Sequence, residues 1–310
     1  MNKNKITFLF CLLAAVVLAA CGGAAEPTTT SEQEAAAEPT EAIEEAAPER
    51  VEGIPEPVIS DYPTGAVTYV YDFGDMILHG FVNPPEGAGN GTYVIEGATS
   101  LVLIDSQFAE ESSRAFRDYV DTIGKPIERI FLTHEHPDHI NGLANAFSDI
   151  ESFASAEVVE LAADVGITID NVVEEGSETI DGINYEYQIF KDAESEEALL
   201  IKIPDYGVLG IGDLVYNDYH MVMNPNIPNW IDQLAQVSEM TEYQLLLSGH
   251  GVPTDTSVYA KSTEYLENVW EIYNEIDDPD AFQAAVIEAY SDRLAPFFLG
   301  LSAQRLYPKQ

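Results

Sequence analysis

The spacing of apolar residues alternates between two periods along the chain, which separates predicted strands from predicted helices. Short apolar runs bounded by turn residues predict strands at 67–71, 77–82, 92–96, 100–105 and 127–132. Apolar residues at helical spacing predict a helix that ends at Gly124-Lys125-Pro126 and contains Phe116, Tyr119, Val120 and Ile123. Strands that alternate with helices in this way predict an α/β fold.

The same order returns in the second half of the chain. Strands are predicted at 153–154, 183–190, 198–203, 208–211 and 244–248, and the turn at 204–207 predicts a hairpin. Helices are predicted at 157–165, 230–240 and 258–277, and two more helical segments follow. We therefore expect one large domain at 61–256, followed by a short C-terminal helical segment at 257–310.

The first sixty residues differ in composition from the rest of the chain. Lys3 and Lys5 precede an apolar run from Ile6 to Ala20, which predicts a secretory signal peptide at 1–20 rather than a membrane-spanning helix. Residues 21–60 are rich in Ala, Glu, Thr and Pro and have few large apolar residues. Such a segment cannot offset the entropy lost on ordering, so a disordered acidic linker is predicted there.

The residue after the predicted signal peptide suggests a membrane anchor. The sequence Leu18-Ala19-Ala20-Cys21 resembles the lipobox of bacterial lipoproteins, in which the cysteine is lipidated and becomes the mature N-terminus. An ordinary signal peptide cut nearby is the alternative. The second cysteine, Cys11, lies in the segment expected to be removed, so the folded body has no thiol. We expect a lipoprotein that lies outside the cytoplasm and is tethered to a membrane through Cys21.

The charge of the chain limits its partners. It has 54 acidic and 13 basic residues, a formal net charge of −41. Because a surface of this sign repels polyanions, we expect no nucleic-acid partner. The sequence does not determine an oligomeric state.

The heptad Thr133-His134-Glu135-His136-Pro137-Asp138-His139 concentrates side chains that bind metal ions. It holds three of the six histidines in the chain and lies between a predicted strand and apolar residues at helical spacing from Ile140 to Phe147. Neutral imidazole and carboxylate suit zinc, manganese or iron. The alternative is a polar turn with solvent-exposed histidines.

Three further polar residues end predicted strands, namely Asp105, Asp213 and His250. Together with the heptad, in this order, they resemble the metallo-β-lactamase superfamily over roughly residues 66–255. The resemblance implies an α/β fold of four layers, an αβ/βα sandwich, with two divalent metal ions at the edge of its two sheets. The ligands it implies are His134 and His136 for the first ion, Asp138, His139 and His250 for the second, and Asp213 between both. It gives Asp105 a structural role below the ligands.

One ligand departs from the family pattern. The third histidine that family members place on the first ion is absent, because no histidine occurs between His139 and His220. Its usual separation from the bridging aspartate places Glu194 at that position, with Asp192 as second choice. An incomplete first site in a solvated acidic turn is the alternative. Zinc is the ion implied by the family, and the extra carboxylate favours manganese or iron more than imidazole does.

The resemblance also implies a reaction. A metal-activated hydroxide would hydrolyse an ester, thioester, lactone or amide of a small molecule, with Asp138 as the catalytic residue that orients the nucleophile or moves a proton. Aspartate rather than cysteine at the bridging position is similar to glyoxalase II and lactonase-like hydrolases. Two other functions stay open, a lipoprotein that binds a metal or ligand without turnover and a non-haem iron dioxygenase. Residues after Asp213 are expected in the substrate pocket: Tyr216, Asn217 and His220.

Overall fold

The computed structural model describes residues 53–307, which lie within the unit Glu49–Gln310. The predicted signal peptide, Cys21 and most of the predicted linker lie outside the described residues. Within them, no helix is long and apolar enough to cross a membrane.

The first sheet has eight strands in the order of the sequence. Neighbours from β1 to β5 are antiparallel, and those from β5 to β8 are parallel. Parallel strands require crossover connections, which the helices between them supply. The strands are β1 (Val58–Asp61), β2 (Val67–Asp72), β3 (Ile77–Val82), β4 (Gly91–Glu96), β5 (Leu101–Ile104), β6 (Ile127–Phe131), β7 (Ser152–Ala154) and β8 (Asn171–Val172).

The second sheet has five strands in the order β13-β12-β11-β10-β9, and only its pair β12 and β13 is parallel. The predicted hairpin joins β11 to β12. The strands are β9 (Gly176–Ile180), β10 (Ile183–Lys191), β11 (Glu197–Ile203), β12 (Val208–Tyr216) and β13 (Leu245–His250).

Eight helices accompany the two sheets in the described part of the chain. The first of them ends where Gly124 adopts a left-handed conformation with φ 77°, which glycine permits without steric cost. The helices are α1 (Glu110–Ile123), α2 (Pro137–Ile140), α3 (Gly142–Asn145), α4 (Ala156–Asp164), α5 (Ile227–Ser238), α6 (Ser257–Glu275), α7 (Pro279–Ala289) and α8 (Leu299–Leu306).

Three hydrophobic clusters show how the layers stack. In β5, Leu101 and Leu103 pack with α1 and α4, whereas Val102 and Ile104 pack against the second sheet. Alternate residues of a strand point to opposite faces, so one strand contributes to two cores. A third cluster joins the outer face of the second sheet to the C-terminal helices, with Trp230, Leu266, Phe282 and Leu299. The order is therefore helices, sheet, sheet, helices.

Several boundaries differ from the sequence prediction. Strand β1 begins at Val58, inside the predicted linker, and its four residues are exposed although they pair with β2. The short polar strands β8 and β9 were not predicted. Asp213 does not end its strand, since β12 continues to Tyr216 through an irregular register against β13. The predicted helical stretch after the heptad is divided into α2 and α3.

Candidate metal centre

The heptad forms the loop between β6 and α2. His134 and His136 are buried in this loop, and Asp138 and His139 lie in the first turn of α2. Pro137 is the first residue of the helix, a position where its missing N–H is not needed. Two ligand-type side chains therefore come from the first turn of α2, and two come from the loop before it.

Asp105 fixes this loop from the adjacent strand. Its carboxylate accepts hydrogen bonds from the Thr133 backbone N–H at 2.8 Å, from the Thr133 hydroxyl at 2.9 Å and from His139 Nδ1 at 2.8 Å. Because His139 donates through Nδ1, its Nε2 is the ring nitrogen that faces the centre and is placed to bind a metal ion. Asp105 has a left-handed backbone with φ 62°, a strained conformation for a residue that is not glycine.

The second sheet supplies the other side of the centre. Glu194 lies in the turn between β10 and β11, Asp213 in β12, and His250 at the end of β13. His250 donates through Nδ1 to the carbonyl of Ala88 at 2.9 Å, which leaves its Nε2 directed at the carboxylates. Gly249 permits this close approach, because a Cβ there would lie 1.8 Å from Asp213 Oδ1.

Seven side chains meet in two groups. One contains His134, His136, Glu194 and Asp213, and the other contains Asp138, His139 and His250, with the ligand atoms of each group within 4.8 Å of one another. Asp213 lies between the groups. Its Oδ2 is 3.4 Å from His134 Nε2 and 3.3 Å from His250 Nε2, and its Oδ1 is 3.4 Å from His139 Nε2.

The buried atoms of this cluster fit a cation. Among residues 53–307, several buried polar atoms have no hydrogen-bond partner, and five of them belong to the centre: His139 Nε2, His250 Nε2, Glu194 Oε2 and both carboxylate oxygens of Asp213. Leaving such atoms without a hydrogen bond is costly, and two metal ions, one for each group, would together bind all five. Nitrogen and oxygen donors of this kind suit zinc, manganese or iron and do not select among them.

Glu194, and not Asp192, is the acidic residue in the centre. Its side chain is buried, with Oε2 3.4 Å from His136 Nδ1, whereas Asp192 is exposed on the same turn. Tyr216 donates its hydroxyl to Glu194 Oε1 at 2.5 Å. Burial and the nearby carboxylate of Asp213 raise the pKa of Glu194 to about 8.

The charges of the cluster stabilise one another. Burial opposes ionisation of Asp213, but the positive charges of His250, His139 and His134 outweigh it and hold its pKa well below the ordinary value. Burial likewise lowers the pKa of His250, but the carboxylates of Asp213 and Asp138 raise it to about 10. The centre without metal is therefore a buried network of imidazolium and carboxylate groups.

The three predicted pocket residues have different positions. Tyr216 is buried and holds Glu194, and the side-chain amide of Asn217 donates to the carbonyl of Val252. The prediction for His220 is wrong. This residue is fully buried, with Nε2 2.9 Å from the carbonyl of Tyr290 and Nδ1 3.3 Å from the hydroxyl of Tyr265, so it belongs to the helical layer.

Arg305 is a residue near the centre that the sequence did not indicate. It lies on α8, and its Nη1 is 3.4 Å from Nε2 of His136. The pKa of His136 is well below the ordinary value, first because of burial and then because of the positive charges of His134 and Arg305. No local motif surrounds Arg305, so only the packing of α8 reveals this contact.

Comparison with known families agrees with this geometry. Residues 88–234 match the family model described as the metallo-beta-lactamase superfamily. This part of the chain is therefore similar to that superfamily. A curated linear primary-alkylsulfatase from Pseudomonas sp. (strain ATCC 19151) is 36% identical over 85 residues, which are 27% of this chain and 16% of that protein. The chain therefore matches only a small part of the relative's length.

Solved structures share the metallo-beta-lactamase fold with this chain. A metallo-beta-lactamase from Pontibacter korlensis gives a TM-score of 0.54 at 16% identity and covers 69% of this chain and 100% of its own. The metallo-beta-lactamase FIM-1 from Pseudomonas aeruginosa, solved in a mono-zinc form, gives a TM-score of 0.52 at 16% identity and covers 69% and 96%. At this identity the likeness concerns the fold, and the predicted α/β sandwich is confirmed.

Proposed function

We propose that the protein is a hydrolase whose reaction depends on two divalent metal ions. The observation that supports this is the convergence of seven side chains from both sheets, with five buried atoms that make no hydrogen bond among the described residues. His134, His136 and Glu194 would hold one ion, Asp138, His139 and His250 the other, and Asp213 both. When bound, such ions lower the pKa of water towards neutrality and polarise the bond to be cleaved.

Asp138 is the residue best placed to move a proton. Its side chain is 25% exposed, whereas that of Asp213 is 2% exposed, so Asp138 faces the open side of the centre. His250 Nε2 lies 3.1 Å from Asp138 Oδ2. Burial raises the pKa of Asp138, but the charges of His139 and His250 outweigh this effect and keep the pKa below its ordinary value. An ionised Asp138 can orient the nucleophile and accept its proton.

We propose a small-molecule substrate with an ester, thioester, lactone or amide bond. Aspartate at position 213 supports a glyoxalase II or lactonase-like subtype, as the sequence predicted. The curated relative, named a linear primary-alkylsulfatase, adds sulfate esters to the classes to be tested.

The test is hydrolysis with purified protein that has been stripped of metal and reloaded with zinc, manganese or iron. The substrates are a 4-nitrophenyl ester, a thioester, a lactone, a β-lactam and a primary alkyl sulfate. We expect a chelator to abolish turnover of one class and a single metal to restore it. Asp213→Ala should abolish it, whereas Asp192→Ala, which changes an exposed carboxylate on the turn that holds Glu194, should not.

Other outcomes would contradict the proposal. Tight binding of metal without turnover would favour a binding lipoprotein, and oxygen uptake with a persulfide would favour the iron dioxygenase. Equal turnover by the wild type and Asp213→Ala would show that the centre is not the site of the reaction.

The identity of the metal is a second part of the proposal. Asp138, Glu194 and Asp213 contribute three carboxylates, so two divalent ions would keep one net positive charge before any anion binds. A centre with three carboxylate ligands favours manganese or iron more than a centre that is richer in histidine does. Elemental analysis of the purified protein should therefore show some manganese or iron, and two equivalents of zinc alone would contradict this expectation.

We further propose that the protein acts outside the cytoplasm as a lipoprotein anchored through Cys21. The lipobox-like sequence before this cysteine supports the proposal. Expressed in a bacterial host, the wild type should fractionate with membranes and carry a diacylglyceryl mass at its N-terminus. Cys21→Ser should release the protein from the membrane fraction, and a membrane-bound Cys21→Ser protein would contradict the anchor.

A further inference from the structure

Arg305 brings a positive charge to the rim of the metal centre. Its Nη1 lies 3.4 Å from His136 Nε2 and 3.5 Å from the carbonyl of Met223. In the described part of the chain, no carboxylate oxygen lies within ion-pair distance of Arg305, whereas three other arginines each pair with a carboxylate: Arg114, Arg117 and Arg129. In a chain with 54 acidic residues, this arginine keeps its donors free of an acidic partner.

The contact with His136 leaves room for an acceptor. The Nδ1 atom of His136 faces the centre, 3.1 Å from His134 Nε2 and 3.4 Å from Glu194 Oε2. If Nδ1 is the ligand atom, the ring proton is on Nε2, and Nε2 can only donate. Arginine also only donates, so the two groups cannot bond to each other. Both donors are then available to one acceptor between them, and the charge of Arg305 favours an anion.

Two exposed apolar residues precede this cation in the chain. Leu301 lies one turn before Arg305, on the same face of α8, and Phe297 lies in the short 3-10 turn directly before α8. Leu301 is 45% exposed and Phe297 is 59% exposed, although both are large and apolar. Single exposed apolar residues are common, but two of them close to a cation without an acidic partner match a ligand with an apolar chain and an anionic group.

We propose that Arg305 and the Nε2–H of His136 bind the anionic group of the substrate, and that Leu301 and Phe297 contact its apolar chain. The substrate is then an anionic amphiphile, with a carboxylate or a sulfate as its charged group. This inference rests on the proposed function in that the same centre receives the ligand. Arg305 selects the substrate and does not bind the metal.

Binding of octanoate, acetate and octan-1-ol to the zinc-loaded protein tests the proposal by calorimetry, without turnover. Arg305→Met should weaken octanoate binding by on the order of tenfold or more, the usual effect of a lost charged hydrogen bond. Arg305→Lys should retain most of the affinity. Leu301→Ser should weaken octanoate binding and leave acetate unchanged, and the control Arg114→Met, at an exposed ion pair, should change neither.

Octanoate binding at wild-type strength in Arg305→Met would overturn the inference. An equal loss of octan-1-ol binding would also overturn it, because it would show that Arg305 only holds α8 in place. If Arg305→Met does not fold, Arg305→Gln and Leu301→Ser provide the same comparison. If octanoate binding depends on Arg305 but no ester is turned over, the proposed hydrolase activity is refuted and this inference is not. If an ester is turned over but octanoate binding does not depend on Arg305, this inference is refuted and the hydrolase activity is not.

Discussion

Replacement of Tyr216 by phenylalanine isolates the role of Glu194. The change removes one hydroxyl, which donates to Glu194 Oε1 at 2.5 Å and leaves Oε2 directed at His136. The ring of Tyr216 also contacts Trp230 edge to face, with centroids 5.7 Å apart, and phenylalanine keeps this packing. Tyr216→Phe therefore changes the orientation of a carboxylate with little change in the core.

The magnitude follows from the burial of the pair. Glu194 is 1% exposed and Tyr216 is 4% exposed, so water cannot replace the lost donor. A hydrogen bond to a charged group contributes about 1.5–3 kcal/mol. Groups that orient metal ligands change metal affinity by about 10–100-fold when removed. The two estimates agree, and we expect metal binding at the first site to weaken by about 10–100-fold.

Competition with a chromophoric chelator measures this affinity, and thermal unfolding of the metal-free proteins controls for folding. Tyr219→Phe is the matched control, because Tyr219 is a buried tyrosine on the following loop and its hydroxyl does not contact Glu194. Glu194→Gln should weaken the same site at least as much as Tyr216→Phe. Wild-type affinity in both variants would refute the assignment of Glu194 as a ligand, and wild-type affinity in Tyr216→Phe alone would refute the orienting role of the tyrosine.

Two further predictions concern sites at the edge of the centre and outside it. Gly249→Ala should destabilise the protein by roughly 1–3 kcal/mol in urea unfolding and weaken metal binding, because its Cβ would lie 1.8 Å from Asp213 Oδ1. Gly300→Ala on α8, where a Cβ would meet only the Gln283 side chain at an ordinary contact distance of 3.6 Å, should do neither. Burial lowers the pKa of His79 despite its contact with Glu96, so the unfolded chain binds this proton more readily. The free energy of unfolding should therefore fall as pH drops below about 6.5. The difference in the free energy of unfolding between the wild type and His79→Gln should shrink over the same pH range. A difference that does not change with pH would contradict this role of His79.

The sequence predicted the part of the centre that is local in the chain. The heptad places four candidate ligands within a few residues, and Asp213 and His250 follow apolar runs that are visible in the sequence. Glu194 was placed by its separation from Asp213, but the sequence could not distinguish it from Asp192. What separates the two is burial, which depends on packing between β10, β12 and the heptad.

Errors occurred where distant contacts decide the outcome. His220 follows Asp213 closely in sequence, yet Tyr265 and Tyr290 of the C-terminal layer satisfy both of its nitrogens. Arg305 reaches His136 from the other end of the domain, and no spacing rule relates these positions. Strand β1 was missed because backbone pairing with β2, rather than an apolar face, defines it.

The candidate ligands also divide between the two sheets. The heptad follows β6 of the first sheet, whereas Glu194, Asp213 and His250 belong to the second. An ion bound between them would act as a cross-link across the sandwich, and cross-links that close long loops restrict the unfolded chain most. The sheets cannot separate until the ion loses its ligands on one of them. Removal of metal should therefore increase the rate of unfolding and also lower the free energy of unfolding. The lifetime of the folded protein would then be set by the supply of metal in its surroundings.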